Sequence, residues 1–192
     1  IRDALKMYNY EVIKYFMFSK HYTSDLDISD NDFQIAEGHL YYFYSTIKAM
    51  IEFINKNNGN KALEIIANEI SDTIKTKFIE AMDDDFNTVS ALANLHTIFK
   101  YCNNMIKSAK ENNKQIVANT LDRILYDLNE VYGLLGLFKQ KPEDFILELK
   151  EKYLNKLNIS QEQIQTQILK RAEAKSNKEG TTWDIKALYS FS

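Results

Sequence analysis

Only one proline and five glycines interrupt a chain of 192 residues. With so few breakers the backbone has few places to turn sharply. Sandwiches, barrels and propellers need a turn residue every few positions, so these architectures are excluded. A hydrophobic content of 45% excludes collagen-like and disordered chains as well. A Rossmann-type nucleotide site is also excluded. Gly133 and Gly136 are the closest glycine pair, and they flank only Leu134 and Leu135.

What remains is helix, and the apolar spacing agrees. Phe33, Ala36, Leu40, Phe43, Ile47, Met50 and Ile54 recur at steps of three and four, one stripe on a helix of roughly 35 Å. Tyr41, Tyr44 and Ile51 widen that stripe, and Ser29, Asp30 or Asn31 caps its start. The Asn57–Asn60 segment breaks it. A second stripe runs through Leu63, Ile66, Ile70, Ile74 and Phe78. A third, capped near Asn87 or Thr88, runs through Leu92, Leu95, Phe99, Cys102 and Ile106. A fourth runs from Val117 through Leu121, Ile124, Leu128 and Val131 to Leu135. The spacing predicts an all-α fold: an antiparallel helical bundle with helical extensions at both ends. Before it lie two short helical pieces within residues 1–28. After it, Pro142 suits a first helical position, and Ser160-Gln-Glu-Gln163 has the form of a capping box.

The net charge of −3 is unevenly spread. Residues 150–178 hold seven cations (Lys150, Lys152, Lys156, Lys170, Arg171, Lys175 and Lys178) against three glutamates, a net +4, so the rest of the chain carries −7. A basic stretch on an acidic body is either a solvated helix face or a contact to polyanion. The single cysteine, Cys102, excludes an intrachain disulfide and a cysteine-based zinc site, and it fits a reducing, cytoplasmic location. No apolar run reaches the roughly 20 residues of a membrane span, so no membrane partner is expected.

Active-site chemistry is not evident. Glu80, Asp83, Asp84 and Asp85 form the densest acidic cluster, but adjacent helical residues point about 100° apart and do not converge on an ion. The expectation is a helix junction in which Asp85 or Asn87 caps the next helix, with no metal. His21, His39 and His96 lack ligand spacing, and Cys102 sits in an apolar stripe as a structural thiol.

Phe78-Ile-Glu-Ala-Met82-Asp83-Asp84-Asp85-Phe86-Asn87-Thr88, followed by Ala91-Leu92 and Leu95, resembles a signature of the cysteinyl-tRNA synthetases. Ile1-Arg-Asp-Ala-Leu5, Tyr8, Val12 to Phe18 and His21-Tyr22-Thr23-Ser24 are similar to the segment that follows that family's second catalytic signature. Leu134-Leu-Gly-Leu137 resembles the end of its DALR-type bundle. Ile168 to Lys175 and Gly180-Thr-Thr-Trp183 resemble its C-terminal piece. The resemblance implies a bundle of the class I synthetase anticodon-binding type in three parts: a stem-contact region over 1–28, a DALR-type bundle over 29–140, and an anticodon-reading piece over 141–192. It implies tRNA(Cys) as partner, together with a catalytic domain of the same polypeptide that carries ATP, magnesium and zinc. This chain is then expected to be non-catalytic and free of cofactors. The implied tRNA-binding residues are Lys175, Arg171, Lys178, Trp183, Lys14 and His21. The structural signature is Met82, Asp83, Asp84, Asp85, Phe86, Asn87 and Thr88.

The chain departs from the family at Lys14 and Thr23, where arginine is usual, and at Val89, where proline is usual. Its C-terminal piece is short, with Asn177-Lys178-Glu179 running straight into Gly180. Two other classes stay open on the residues alone. One is a helical adaptor, which an exposed apolar face would favour. The other is the bundle of an enzyme that ligates cysteine to a small molecule.

Overall fold

The computed structural model describes residues 2–25, 28–57 and 69–176, with the helical backbone alone for 69–72 and 174–176. The chain divides into two units, Ile1–Glu148 and Leu149–Ser192. The first contains α1 (Ala4–Met7), α2 (Tyr10–Phe18), α3 (Asp30–Lys56), α4 (Glu69–Asp83), α5 (Thr88–Ser108) and α6 (Lys114–Tyr132). It also holds a single 3-10 turn, Gly133–Leu135, and the opening of α7 (Pro142–Leu157); the second unit holds the remainder of α7 and α8 (Gln161–Ser176). Every regular element among the described residues is helical, as the breaker scarcity predicts.

Local sequence fixes the helix ends. Ser29 and Asp32 form a reciprocal capping box at α3: Asp32 N–H donates to Ser29 Oγ at 3.3 Å, and Ser29 N–H donates to Asp32 Oδ2 at 3.1 Å. Ser160 and Gln163 do the same for α8, at 3.2 and 2.8 Å. Pro142 is the first residue of α7. The α3 stripe from Phe33 to Ile54 is buried throughout, and Tyr44 extends it, but Tyr41 does not. One residue beyond Leu40, a 100° rotation carries Tyr41 to the solvent side, where it is 48% exposed. Leu63 and Ile66 of the expected second helix lie outside the described residues.

The bundle is formed by α3, α4, α5 and α6. Along α3 and α5 the contacts advance in the same direction: His39 meets His96, Phe43 meets Phe99 at 4.7 Å, and Thr46 Oγ1 accepts from Asn103 Nδ2 at 2.9 Å. These two helices therefore lie side by side and parallel. Consecutive helices still reverse, since the four residues from Asp84 to Asn87 turn α4 straight back into α5. The antiparallel order is thus one of sequence, and the chain crosses the bundle rather than meandering round it.

The short α2 lies on α3. Nine residues are too few for an autonomous helix, so burial of Val12, Tyr15 and Phe16 holds it in place. Tyr8 stacks on Phe33, Phe16 packs against the same ring at a tilt of 52°, and Tyr8 Oη donates to Asp30 Oδ1 at 3.0 Å. The N-terminal residues thus belong to the same compact unit as the bundle.

Between α2, α3 and α5 two histidines far apart in sequence converge on one hydroxyl. Tyr15 Oη is 3.1 Å from His39 Nδ1 and 3.4 Å from His96 Nε2. A hydroxyl has one proton, so it donates to one imidazole and accepts from the other. One ring can gain a proton with both bonds kept; a second proton removes the only acceptor and places two cations 4.5 Å apart, centroid to centroid. Burial lowers the pKa of both histidines, and for His96 the neighbouring His39 lowers it further. Burial also pushes the Tyr15 phenol up to about 12. A histidine with a lowered folded-state pKa stabilises the fold above its ordinary value, near 6.5, and that stability is lost as the pH falls toward the folded-state value. Denaturant titrations of the wild type between pH 7.5 and 5 are expected to show stability falling below about pH 6.5. His39→Gln should flatten that fall, and an unchanged slope in the variant would refute the assignment.

Candidate nucleic-acid interface

The acidic signature is a helix junction with unusual backbone. Asp85 and Phe86 both adopt left-handed conformations, φ 51° and 52°, which side chains with a Cβ occupy at a cost of about 1–2 kcal/mol each. Hydrogen bonds on either side hold them there. Phe86 N–H donates to Met82 O at 3.1 Å, and Asn87 N–H donates to Ala81 O at 2.8 Å. Asn87 then caps α5 by accepting from Ser90 N–H at 3.0 Å, while its amide donates to Asp84 Oδ2 at 3.0 Å. Asp85 does not cap α5; its carboxylate faces another part of the chain. Asp83 closes α4, and Thr88 opens α5. The three aspartates thus take separate directions, and among the described residues no three His, Cys, Asp or Glu side chains gather as a metal site.

The partner of Asp85 comes from the N-terminal arm. Tyr22 Oη donates to Asp85 Oδ1 at 2.7 Å, and this hydrogen bond raises the Tyr22 pKa above its ordinary value. The Tyr22 ring stacks against His21 with centroids 4.8 Å apart, and His21 Nδ1 lies 2.7 Å from Thr23 Oγ1. Sixty residues of sequence separate His21 from the junction, yet the fold sets them side by side. Tyr22 is 65% exposed and Phe86 is 67% exposed, so both side chains are largely open to solvent, one face of Tyr22 being covered by His21. Sequence reasoning selected His21 but treated Tyr22 only as part of a motif. The usable signal was an aromatic next to His21 in a segment without apolar period.

Lys14 is engaged elsewhere. Its ammonium lies 3.4 Å from the Gly136 carbonyl and 5.1 Å above the Tyr10 ring, half-buried at the end of α6. Gly136 needs to be glycine there, since its φ is +70° and a Cβ would stand 2.5 Å from Lys14 Nζ.

In the second unit, α8 is exposed from Gln161 to Glu173. Ile164, Ile168 and Arg171 follow one another on one side of it, and Lys175 continues the register one turn on. Lys178 and Trp183 lie outside the described residues. Sequence reasoning named Ile168 only as the start of a motif; it is exposed, as is Ile164.

The DALR domain family model matches residues 77–139. The match runs from α4 to the turn that follows α6. The chain is 30% identical over 189 residues to the cysteine–tRNA ligase of Geotalea uraniireducens, covering 93% of the chain and 38% of that protein. It is 33% identical over 181 residues to the cysteine–tRNA ligase of Syntrophotalea carbinolica, covering 93% and 36%. With the cysteine–tRNA ligase of Geotalea daltonii the identity is 27% over 219 residues, covering 97% and 44%. That aligned length exceeds the chain's own 192 residues, so this relative carries internal residues that the chain lacks. The chain carries a DALR domain, is similar to cysteine–tRNA ligases along nine-tenths of its length, and spans about two-fifths of the length of these relatives.

The junction makes a paired prediction. Asn87→Ala removes the cap and is expected to lower stability by about 1 kcal/mol. Phe86→Gly relieves left-handed strain at an exposed site and is expected to leave stability unchanged or raise it by up to about 1 kcal/mol. Denaturant unfolding of both variants checks this. A large loss for Phe86→Gly would show that the ring packs rather than faces water.

Proposed function

We propose that this chain is the RNA-recognising portion of a cysteine–tRNA ligase, contacting the anticodon arm and the inner side of the stem of tRNA(Cys). The observation that carries the reading is the match to proteins of that name along nine-tenths of the chain, with the DALR domain at its centre. Charge and chemistry support it. Lysine and arginine neutralise phosphates and release counterions, which gives salt-dependent affinity. Unstacked anticodon bases take up aromatic and guanidinium faces. Arg171 and Lys175 on α8, with Lys178 and Trp183 beyond it, supply such groups at one end. His21 and Tyr22 supply aromatic faces on the arm assigned to the stem. The three-part division at 28/29 and 140/141 is proposed as the division of these contacts along the RNA. The acidic bundle stays clear of phosphate except along that stripe.

In this reading cysteine activation with ATP, magnesium and zinc belongs to the ligase domain of the same polypeptide, in the cytoplasm. The described residues here do not fit zinc: no ligand triad converges, and burial pushes the Cys102 thiol up to about 12. The isolated chain is expected to show no cysteine-dependent ATP–pyrophosphate exchange, and detectable exchange would overturn that expectation.

The RNA reading is tested by titrating tRNA(Cys) with the full-length protein at several salt concentrations. Arg171→Ala and Lys175→Ala should each lower the salt slope by about one unit where the cation meets a phosphate. Where Lys175 reads a base, its loss should shrink the penalty for anticodon changes by about 1–3 kcal/mol. Cysteine activation should stay at the wild-type rate. If both variants keep full affinity, slope and discrimination, α8 is a solvated face.

A further inference from the structure

Glu11 is fully buried on α2, and every group around its carboxylate is a donor. Oε2 accepts from Tyr44 Oη at 2.8 Å and from Phe138 N–H at 3.0 Å. Oε1 accepts from Lys139 N–H at 2.9 Å and from Tyr10 Oη at 3.3 Å. Successive amides thus point at one carboxylate, and Phe138 takes a left-handed φ of 59° in this arrangement. The next amide, Gln140 N–H, reaches Tyr44 Oη at 3.4 Å. Without these acceptors three consecutive backbone donors would be left without partners in the interior.

Only Phe138–Lys141 separate Leu137 from Pro142, so fixing these amides leaves little slack before α7 begins. The first turns of α7 are then tied to the same two helices that hold the carboxylate. Phe145 is buried and stacks on Tyr44 with centroids 4.3 Å apart. Asn9 donates through Nδ2 to Glu148 Oε2 at 2.7 Å and accepts from Gln140 Nε2 at 3.0 Å. A buried acid contributes little net stability compared with apolar packing; what it adds here is a fixed geometry for the connection.

We propose that Glu11 is a positioning residue for RNA recognition, its carboxylate clamping residues 138–140 and thereby setting the opening turns of α7, the helix that leads into the basic C-terminal residues. The inference rests on the RNA-binding reading above.

Glu11→Gln keeps the shape but turns a donor toward one of the two backbone amides. The full-length variant is examined by hydrogen exchange and by tRNA(Cys) titration at several salt concentrations, below its unfolding temperature. Amides in the opening turns of α7 are expected to exchange about tenfold faster while α5 keeps its protection. Affinity should fall several-fold at every salt concentration with an unchanged salt slope, because no cation is removed. Gln140→Ala, neutral and outside the carboxylate's contacts, should shift both readouts in the same direction by less, and it serves if Glu11→Gln does not fold. A purely structural role lowers the melting temperature and leaves affinity intact in the folded protein, which would overturn the proposal. So would unchanged α7 protection, or protection lost equally in α5. If wild-type protein fails to bind tRNA, the RNA reading falls and the positioning role with it. The exchange pattern distinguishes that result from a failure of the clamp.

Discussion

A carboxylate sealed from water has to be surrounded by donors, and meeting that demand at Glu11 joins three distant stretches of the chain. Stripping one charge of solvent is worth several kcal/mol against folding unless hydrogen bonds replace the water. Here the replacements come from α2 itself, from the middle of α3 and from the connection that follows α6. The nine-residue α2 cannot stand alone, and the irregular stretch after Gly136 has no helix to satisfy its amides. Each supplies what the other lacks. Burial and the adjacent Glu11 carboxylate hold the Tyr44 phenol protonated far above its ordinary range, so its hydroxyl remains a donor to that carboxylate at any pH the protein meets.

The Tyr15 cluster, about one turn further along α2, works by the opposite logic. It holds no formal charge at neutral pH, and its stability depends on keeping charge out. The two polar clusters flank the apolar contacts of Val12 and Phe16, so α2 is fixed in register as well as pressed onto the bundle. Apolar packing alone tolerates sliding; paired hydrogen bonds to defined atoms do not. That register also sets where His21 and Tyr22 emerge, and hence the hydrogen bond from Tyr22 to Asp85.

Much of the fold was legible because it is written in local chemistry. Ser29 with Asp32, Ser160 with Gln163, Asn87 and Pro142 act within one helical turn, and each ends or starts a helix where the sequence predicts. The apolar stripes were legible for the same reason. Glu11 was not, because an acid on a short amphipathic helix reads as a solvated residue until its partners at 44, 138 and 139 are known. His39 and His96 read as unrelated, since the parallel pairing of α3 and α5 that brings them together leaves no local trace. Phe86 could not be foreseen as left-handed, because a bulky aromatic disfavours that conformation; Asp85 is of a type that tolerates it, but one such residue among three aspartates does not single out its own position. For the candidate interface, Arg171 was legible from charge run and family motif, and it is exposed on α8. Lys14 was legible only as a cation, and its engagement with Gly136 depends on a contact 122 residues away.

The distribution of charge ties these observations to the proposed role. A net −7 on the remainder of the chain opposes a polyanion, while a net +4 over residues 150–178 attracts one. In the proposed reading, a polyanion is attracted by the basic C-terminal residues and opposed by the acidic remainder of the chain. In that reading, specificity is proposed to rest on short-range groups: the aromatic side chains at 21, 22 and 86, and Arg171 with Lys175 four positions on in α8. The buried hydrogen bonds of Glu11 set where α7 starts, and with it the helix from which the basic residues follow.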